Sequence, residues 1–126
     1  MSYPTDLRYT NDHEWLRIGA TCVVGITQFA VDQLGDITLV DLPKVGDLVT
    51  KGQRFGTVES VKSVSDLYAP ISGTIARINE DLRDRPDLVN GEPYTGGWMV
   101  EIEPSDRSEL AELLSHDAYG KLVDAQ

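Results

Sequence analysis

The stretch Glu59-Ser60-Val61-Lys62-Ser63-Val64-Ser65-Asp66-Leu67-Tyr68-Ala69-Pro70 decides the fold. Just upstream, Arg54-Phe55-Gly56-Thr57-Val58-Glu59 is a short run with β-branched and aromatic residues, and Val64 to Tyr68 alternates apolar with polar until Pro70 ends it. A reversal near Val61-Lys62 joins the two runs as a hairpin with one lysine at its tip. An ammonium held out in this way is solvated and sterically open to an enzyme that would acylate it. Exposed lysines are common on any surface, so Lys62 gains meaning only from what surrounds it.

Outward from the hairpin, glycine and proline punctuate the middle of the chain densely, with short apolar runs between the breaks. That pattern predicts a mainly β fold, a sandwich or flattened barrel. The expected strands are residues 14–18, 21–25, 36–41, 53–60, 64–68, 73–79 and 98–103. Thr27 can cap a short internal helix carrying Ala30 and Leu34 on one face, with Gly35 placed to end it. Toward the C-terminus, Ser105 or Asp106 can cap a segment whose Leu110, Leu113 and Leu114 share a stripe, and Ser115 can start a last helix containing Tyr119 and Leu122. The expectation is one domain over residues 1–126, with a core from about 7 to 103 and a helical segment over about 105–124.

At 126 residues and 13.9 kDa the chain is long enough to bury a core and short for a multidomain enzyme. Its formal net charge of −10 argues against binding nucleic acid, because no basic stripe is present to neutralise phosphates; it favours partners with basic docking faces. Cys22 is the only cysteine, so no internal disulfide can form, and its apolar neighbours Val23 and Val24 point to packing rather than reactivity. No apolar stretch approaches the length of a membrane span, and residues 1–6 resemble neither a signal peptide nor a transit segment. A cytoplasmic location is the expectation.

No catalytic constellation stands out. His13 and His116 lack metal-ligand spacing, no Ser/His/Asp signature is present, and no glycine-rich phosphate loop follows a strand. His13 and Glu14 are adjacent, but neighbours on a strand point to opposite faces and do not converge by adjacency.

His13-Glu14-Trp15, Val24-Gly25-Ile26-Thr27, Leu34-Gly35-Asp36, Leu42-Pro43 with Val45-Gly46-Asp47, Glu59-Ser60-Val61-Lys62 and Ser65 to Pro70 occur in an order that resembles the H protein of the glycine cleavage system. Asn90 to Tyr94 and Gly97-Trp98 continue the resemblance. The departures are mild: Asp41 stands where glutamate is frequent, and Gln28-Phe29 where an acidic residue and a tyrosine or histidine are common. The resemblance implies a fold of the lipoyl/biotinyl-carrier type, a hybrid barrel-sandwich, with lipoic acid in amide linkage on Lys62. A weak echo between Leu48 to Gly52 and Leu88 to Gly91, each leading into an apolar run, agrees with the two similar halves of such carriers.

The resemblance further implies a carrier without catalysis of its own, serving three enzymes. Glycine decarboxylase, with pyridoxal phosphate, would load an aminomethyl group onto the arm. Aminomethyltransferase would pass the one-carbon unit to tetrahydrofolate, and dihydrolipoyl dehydrogenase, with FAD, would reoxidise the dithiol. Family members in plants and animals work in mitochondria, so the expectation is a bacterial cytoplasmic form, or a mitochondrial matrix one only if a leader has been removed. Carboxylates suit the cationic amine of the loaded arm, and the resemblance points to Glu14. Asp12, one alternation away on the same strand face, and Asp66 beyond the hairpin are supporting candidates. Glu59, Val61 and Ser63 flank the lysine and are candidates for recognition by the lipoyl-attaching enzyme.

Alternative readings remain at this point. A lipoyl relay in cofactor assembly needs the same lysine. A biotinyl carrier is disfavoured because methionines do not flank Lys62, and a 2-oxoacid dehydrogenase lipoyl domain by the helical C-terminus. A small independent enzyme would be active unmodified, and a pure interaction module would tolerate Lys62→Arg.

Overall fold

The computed structural model describes residues 3–126. Among the described residues, nine strands form two antiparallel sheets. Sheet A has six strands in the order β1 (Arg8–Tyr9), β2 (Glu14–Arg17), β3 (Cys22–Ile26), β9 (Val100–Pro104), β8 (Gly73–Ile78), β5 (Leu48–Val49). Sheet B has three, in the order β4 (Ile37–Asp41), β6 (Arg54–Ser60), β7 (Val64–Tyr68). The mainly β architecture of a lipoyl-type barrel-sandwich is therefore as expected.

Alternation along the strands fills the space between the layers. Leu16, Val24, Ile75 and Ile102 from sheet A meet Val40, Val58 and Leu67 from sheet B in one buried cluster. Each such side chain, moved from water into that cluster, contributes about 1.5–3 kcal/mol. Cys22 is buried there with a free thiol, as its apolar neighbours suggested. On the other side of β2, Trp15 joins Tyr3, Leu7, Tyr9 and Tyr119 in a second buried cluster. Trp15 lies opposite Gly25 on β3, and a Cβ on that glycine would fall 2.7 Å from the indole ring. The glycine of the Val-Gly-Ile-Thr motif thus makes room for the tryptophan of the His-Glu-Trp motif.

Helix α1 (Gln28–Leu34) begins at Thr27, whose hydroxyl accepts from the Ala30 N–H at 3.3 Å, and ends at Gly35 with φ 78°, both as predicted. Helix α4 (His116–Asp124) starts at Ser115, whose hydroxyl accepts from the Ala118 N–H, and buries Tyr119. Other expectations need correction. The proposed stripe of Leu110, Leu113 and Leu114 does not form on one helix. Asp106 caps a 3-10 helix that stops at Glu112, Leu113 is already extended, and Leu114 exchanges backbone hydrogen bonds with Tyr9 at 2.9 and 2.7 Å. Pairing with the sheet edge outcompetes helix continuation there. The internal echo also fails as a structural repeat, because Leu48-Val49 is strand β5 whereas residues 88–91 form helix α3 (Leu88–Gly91), preceded by the short α2 (Asp81–Asp84). The last strand starts at Val100 rather than at Trp98.

Candidate functional site

Strands β6 and β7 pair from Arg54↔Tyr68 to Glu59↔Val64, and residues 60–63 close the hairpin. Ser60 is the lock of this turn. Its hydroxyl oxygen accepts from the N–H groups of Lys62 (3.1 Å) and Ser63 (3.2 Å), and its own N–H donates to the Ser63 carbonyl at 2.8 Å. A serine side chain that substitutes for backbone partners is what a tight reversal needs. The Val61 N–H donates to the Asp36 carbonyl at 3.0 Å, tying the tip to the chain entering β4. Val61, Lys62 and Ser63 are all exposed, and among the described residues the Lys62 ammonium enters no ion pair.

Beneath the lysine lies Gly35. A Cβ there would sit 3.4 Å from Lys62 Cε, and the φ of 78° is a conformation L side chains rarely adopt. Asn90 on α3 fixes this support: its Oδ1 accepts from the Ile37 N–H and its Nδ2 donates to the Gly35 carbonyl, each at 2.9 Å. Neither Gly35 nor Asn90 was singled out as a site residue from the sequence, although both fall in the resembling motifs. The signal that could have found them is residue type: a glycine at a helix end and a half-buried asparagine able to bridge two backbone groups.

Glu14 is 2% exposed. Its Oε1 accepts from the Thr10 hydroxyl at 2.6 Å and its Oε2 from the Tyr68 N–H at 3.3 Å, so β1–β2 and the far end of β7 meet at this carboxylate. Burial raises its pKa from 4.5 to about 7; the two hydrogen bonds oppose the rise and the nearby Asp12 charge adds to it. At neutral pH the group is therefore poised between its acid and its anion. An approaching cationic amine would favour the anion.

His13, beside it, does not converge on the same point. Its Nδ1 lies 2.8 Å from the Tyr119 hydroxyl, which in turn lies 2.7 Å from Thr27 Oγ1. Burial lowers the His13 pKa, with Asp12 opposing. This chain of contacts docks α4 onto the start of α1.

Asp12 does not share a strand face with Glu14. Its N–H donates to Thr10 Oγ1 at 3.2 Å within a turn, His13 adopts φ 69°, and β2 starts only at Glu14, so strand alternation does not reach Asp12, which is exposed. Asp66 lies on the exposed face of β7, 3.8 Å from the Arg54 guanidinium and 3.5 Å from the Tyr68 hydroxyl, rather than against Glu14. Of the three carboxylates, only Glu14 is enclosed. Two elements lead from it to the lysine end: β7, whose residues 64 and 68 are about 13 Å apart at strand rise, and α1, which takes the chain about 12 Å from Thr27 to Gly35 at helical rise.

No cluster of metal-ligating side chains occurs among the described residues, and no described helix is long and apolar enough to cross a membrane.

The family model described as glycine cleavage H-protein matches residues 7–126. The glycine cleavage system H protein of Listeria monocytogenes serotype 4a is 50% identical, covering 98% of this chain and 100% of its own length. That of Anaeromyxobacter sp. strain K is 53% identical over 100% and 99%. The crystal structure of a glycine cleavage system H protein from Mycobacterium marinum superposes with a TM-score of 0.90 at 40% identity, covering 97% of this chain and 99% of that one. With this match in sequence and fold, the chain belongs to the glycine cleavage H-protein family, the carrier component of the glycine cleavage system.

Proposed function

We propose that Lys62 carries lipoic acid in amide linkage, and that the chain thereby moves the aminomethyl unit of glycine from glycine decarboxylase to aminomethyltransferase before visiting dihydrolipoyl dehydrogenase. The observation that carries this is the Ser60-locked tip, which presents Lys62 exposed and free of ion pairs among the described residues. The residues present fit such a group. The lysine stem lies over a glycine with no side chain, and an enclosed carboxylate with a raised pKa stands where the far end of β7 meets β1–β2.

The lipoyl group, when bound, supplies a dithiolane that accepts the one-carbon unit and cycles between disulfide and dithiol. The chain's own residues do the rest. Ser60 and the Val61–Asp36 bond hold the tip out for acylation and for the arm's entry into partner active sites. Glu14, ionised by a cationic amine, would retain that amine where little water reaches; Thr10 and the Tyr68 N–H orient its two oxygens. Asp66 stands along the intervening edge and Asp12 at the rim of the turn, each able to add negative potential without enclosing the amine. Glu59, Val61 and Ser63 form the immediate surface that the lipoyl-attaching enzyme meets. Residues 1–126 would act as one carrier domain without catalysis of its own, in the cytoplasm. The family match over residues 7–126 supports the carrier domain.

Reconstitution tests this. The purified lipoylated chain, added to glycine decarboxylase, should support glycine-dependent exchange of carbon dioxide, and Lys62→Arg should abolish it. Exchange that persists with Lys62→Arg would overturn the assignment. The loaded chain should also lose its one-carbon unit to water faster with Glu14→Ala; equal rates would remove the holding role from Glu14.

A further inference from the structure

The outer face of sheet B carries two ordered rows of side chains that run up to the lysine tip. Leu39 pairs with Glu59 and Glu59 with Val64, so these three side chains form one row across all three strands. Asp41 pairs with Thr57 and Thr57 with Asp66, forming the next row on the same face. Leu39 is 48% exposed, Val64 63% and Val61, in the adjoining turn, 67%. Of the six large hydrophobic residues most exposed on the described chain, these three gather at the lysine end of one sheet. Behind them stand the exposed carboxylates of Asp41 and Asp66, the latter only 3.8 Å from a cation. Apolar side chains divided by Glu59 and backed by two more carboxylates, on a chain of net charge −10, are complementary to an apolar surface studded with lysine or arginine.

We infer that this face, with Leu39, Val61 and Val64 at its centre and Asp41 and Asp66 at its rim, is the docking surface for the enzyme that acylates Lys62. The inference rests on the proposed attachment of lipoic acid to that lysine. The choice of occupant follows from reach. The lysine stem is five bonds long, so its nitrogen extends about 6 Å from Cα at ordinary bond geometry. An acylating enzyme must take that nitrogen into its own site, and therefore has to close on the residues that flank the tip. Enzymes that work at the far end of a longer arm have no such need. In the acylation, Nζ attacks the carbonyl carbon of an acyl adenylate, a C–N amide bond forms, and the bond from that carbon to the phosphate oxygen breaks. AMP leaves, and the ammonium gives up two protons in becoming the amide.

The test uses the full-length unlipoylated chain, the host's lipoate-activating acyltransferase, lipoic acid and ATP, with acylation followed by intact mass over a range of chain concentrations. Leu39→Ser with Val64→Ser should raise KM about tenfold and leave kcat within twofold. Asp41→Lys with Asp66→Lys should raise KM similarly and flatten its dependence on salt. Ile18→Ser, which alters an exposed residue just after β2, should change neither constant. Binding of the same surface variants in a Lys62→Arg background, measured by calorimetry, should show the same loss of affinity with no chemistry taking place. Because these side chains are exposed, thermal melts should match that of the wild type; should one double variant melt early, the other pair decides. If both pairs are acylated with wild-type kcat/KM while Lys62→Arg stays bare, the docking surface is refuted and lipoylation stands. If the wild type itself is not acylated, both readings fall.

Discussion

Replacing Glu14 by glutamine should flatten one segment of the chain's stability profile against pH. The carboxyl pKa is raised from 4.5 to about 7, chiefly because burial disfavours the anion. A carboxyl that binds its proton more tightly in the folded state stabilises the fold fully below its unfolded pKa, and that stabilisation is lost as pH rises through the folded value. The window therefore runs from about pH 4.5 to about 7, and stability falls across it. At about 1.4 kcal/mol per pH unit, the interval corresponds to about 3 kcal/mol. For a chain of this size that is about 10 °C in Tm. Glutamine accepts from only one of the two donors, the Thr10 hydroxyl or the Tyr68 N–H, so the variant has its own offset in stability; the slope is the diagnostic quantity. His13 titrates with the opposite sign. Burial lowers its pKa, so its stabilisation is present above its ordinary value of 6.5 and is lost as pH falls through the folded value. Since that contribution is common to both proteins, the difference between their curves isolates Glu14. Urea melts every half pH unit from 4.5 to 8 should show the wild type losing about 3 kcal/mol more than Glu14→Gln. Parallel curves would refute the raised pKa, and with it the picture of a carboxylate poised for a cationic partner.

Three further outcomes follow from the packing. Asn90→Ala removes the side chain that satisfies the Ile37 N–H and the Gly35 carbonyl; it should cost about 2–3 kcal/mol by denaturant melt and speed amide exchange at Val61. Gly25→Ala drives a methyl into Trp15 and should cost about 1–3 kcal/mol, with a shift in tryptophan emission. Tyr119→Phe deletes the hydroxyl between His13 and Thr27 and should cost about 1–2 kcal/mol, while lipoylation of Lys62 stays at the wild-type rate by mass.

The hairpin and its lysine were legible in sequence because they depend on local rules: β-branched and aromatic residues before the turn, alternation after it, and a proline to stop the second strand. Helix α1 was legible for the same reason, with Thr27 and Gly35 at its ends. What escaped depended on distant partners. Strand β1 is two residues long, and its Tyr9 takes part of its pairing from Leu114 near the other terminus. That pairing also ends the helical segment expected through Leu113 and Leu114. Asp12 does not share a strand face with Glu14 because a single left-handed residue, His13, interrupts the alternation. Conversely, the enclosure of Glu14 requires Tyr68, 54 positions away, and no periodicity encodes that contact.

The proposed carrier function turns on lipoyl attachment at Lys62. Intact mass with peptide mapping, on protein purified from its native host, reads that attachment without an intermediary. A single lipoyl amide, located on Lys62, is the expected result. A bare Lys62 in cells whose other lipoyl proteins are fully modified would contradict it.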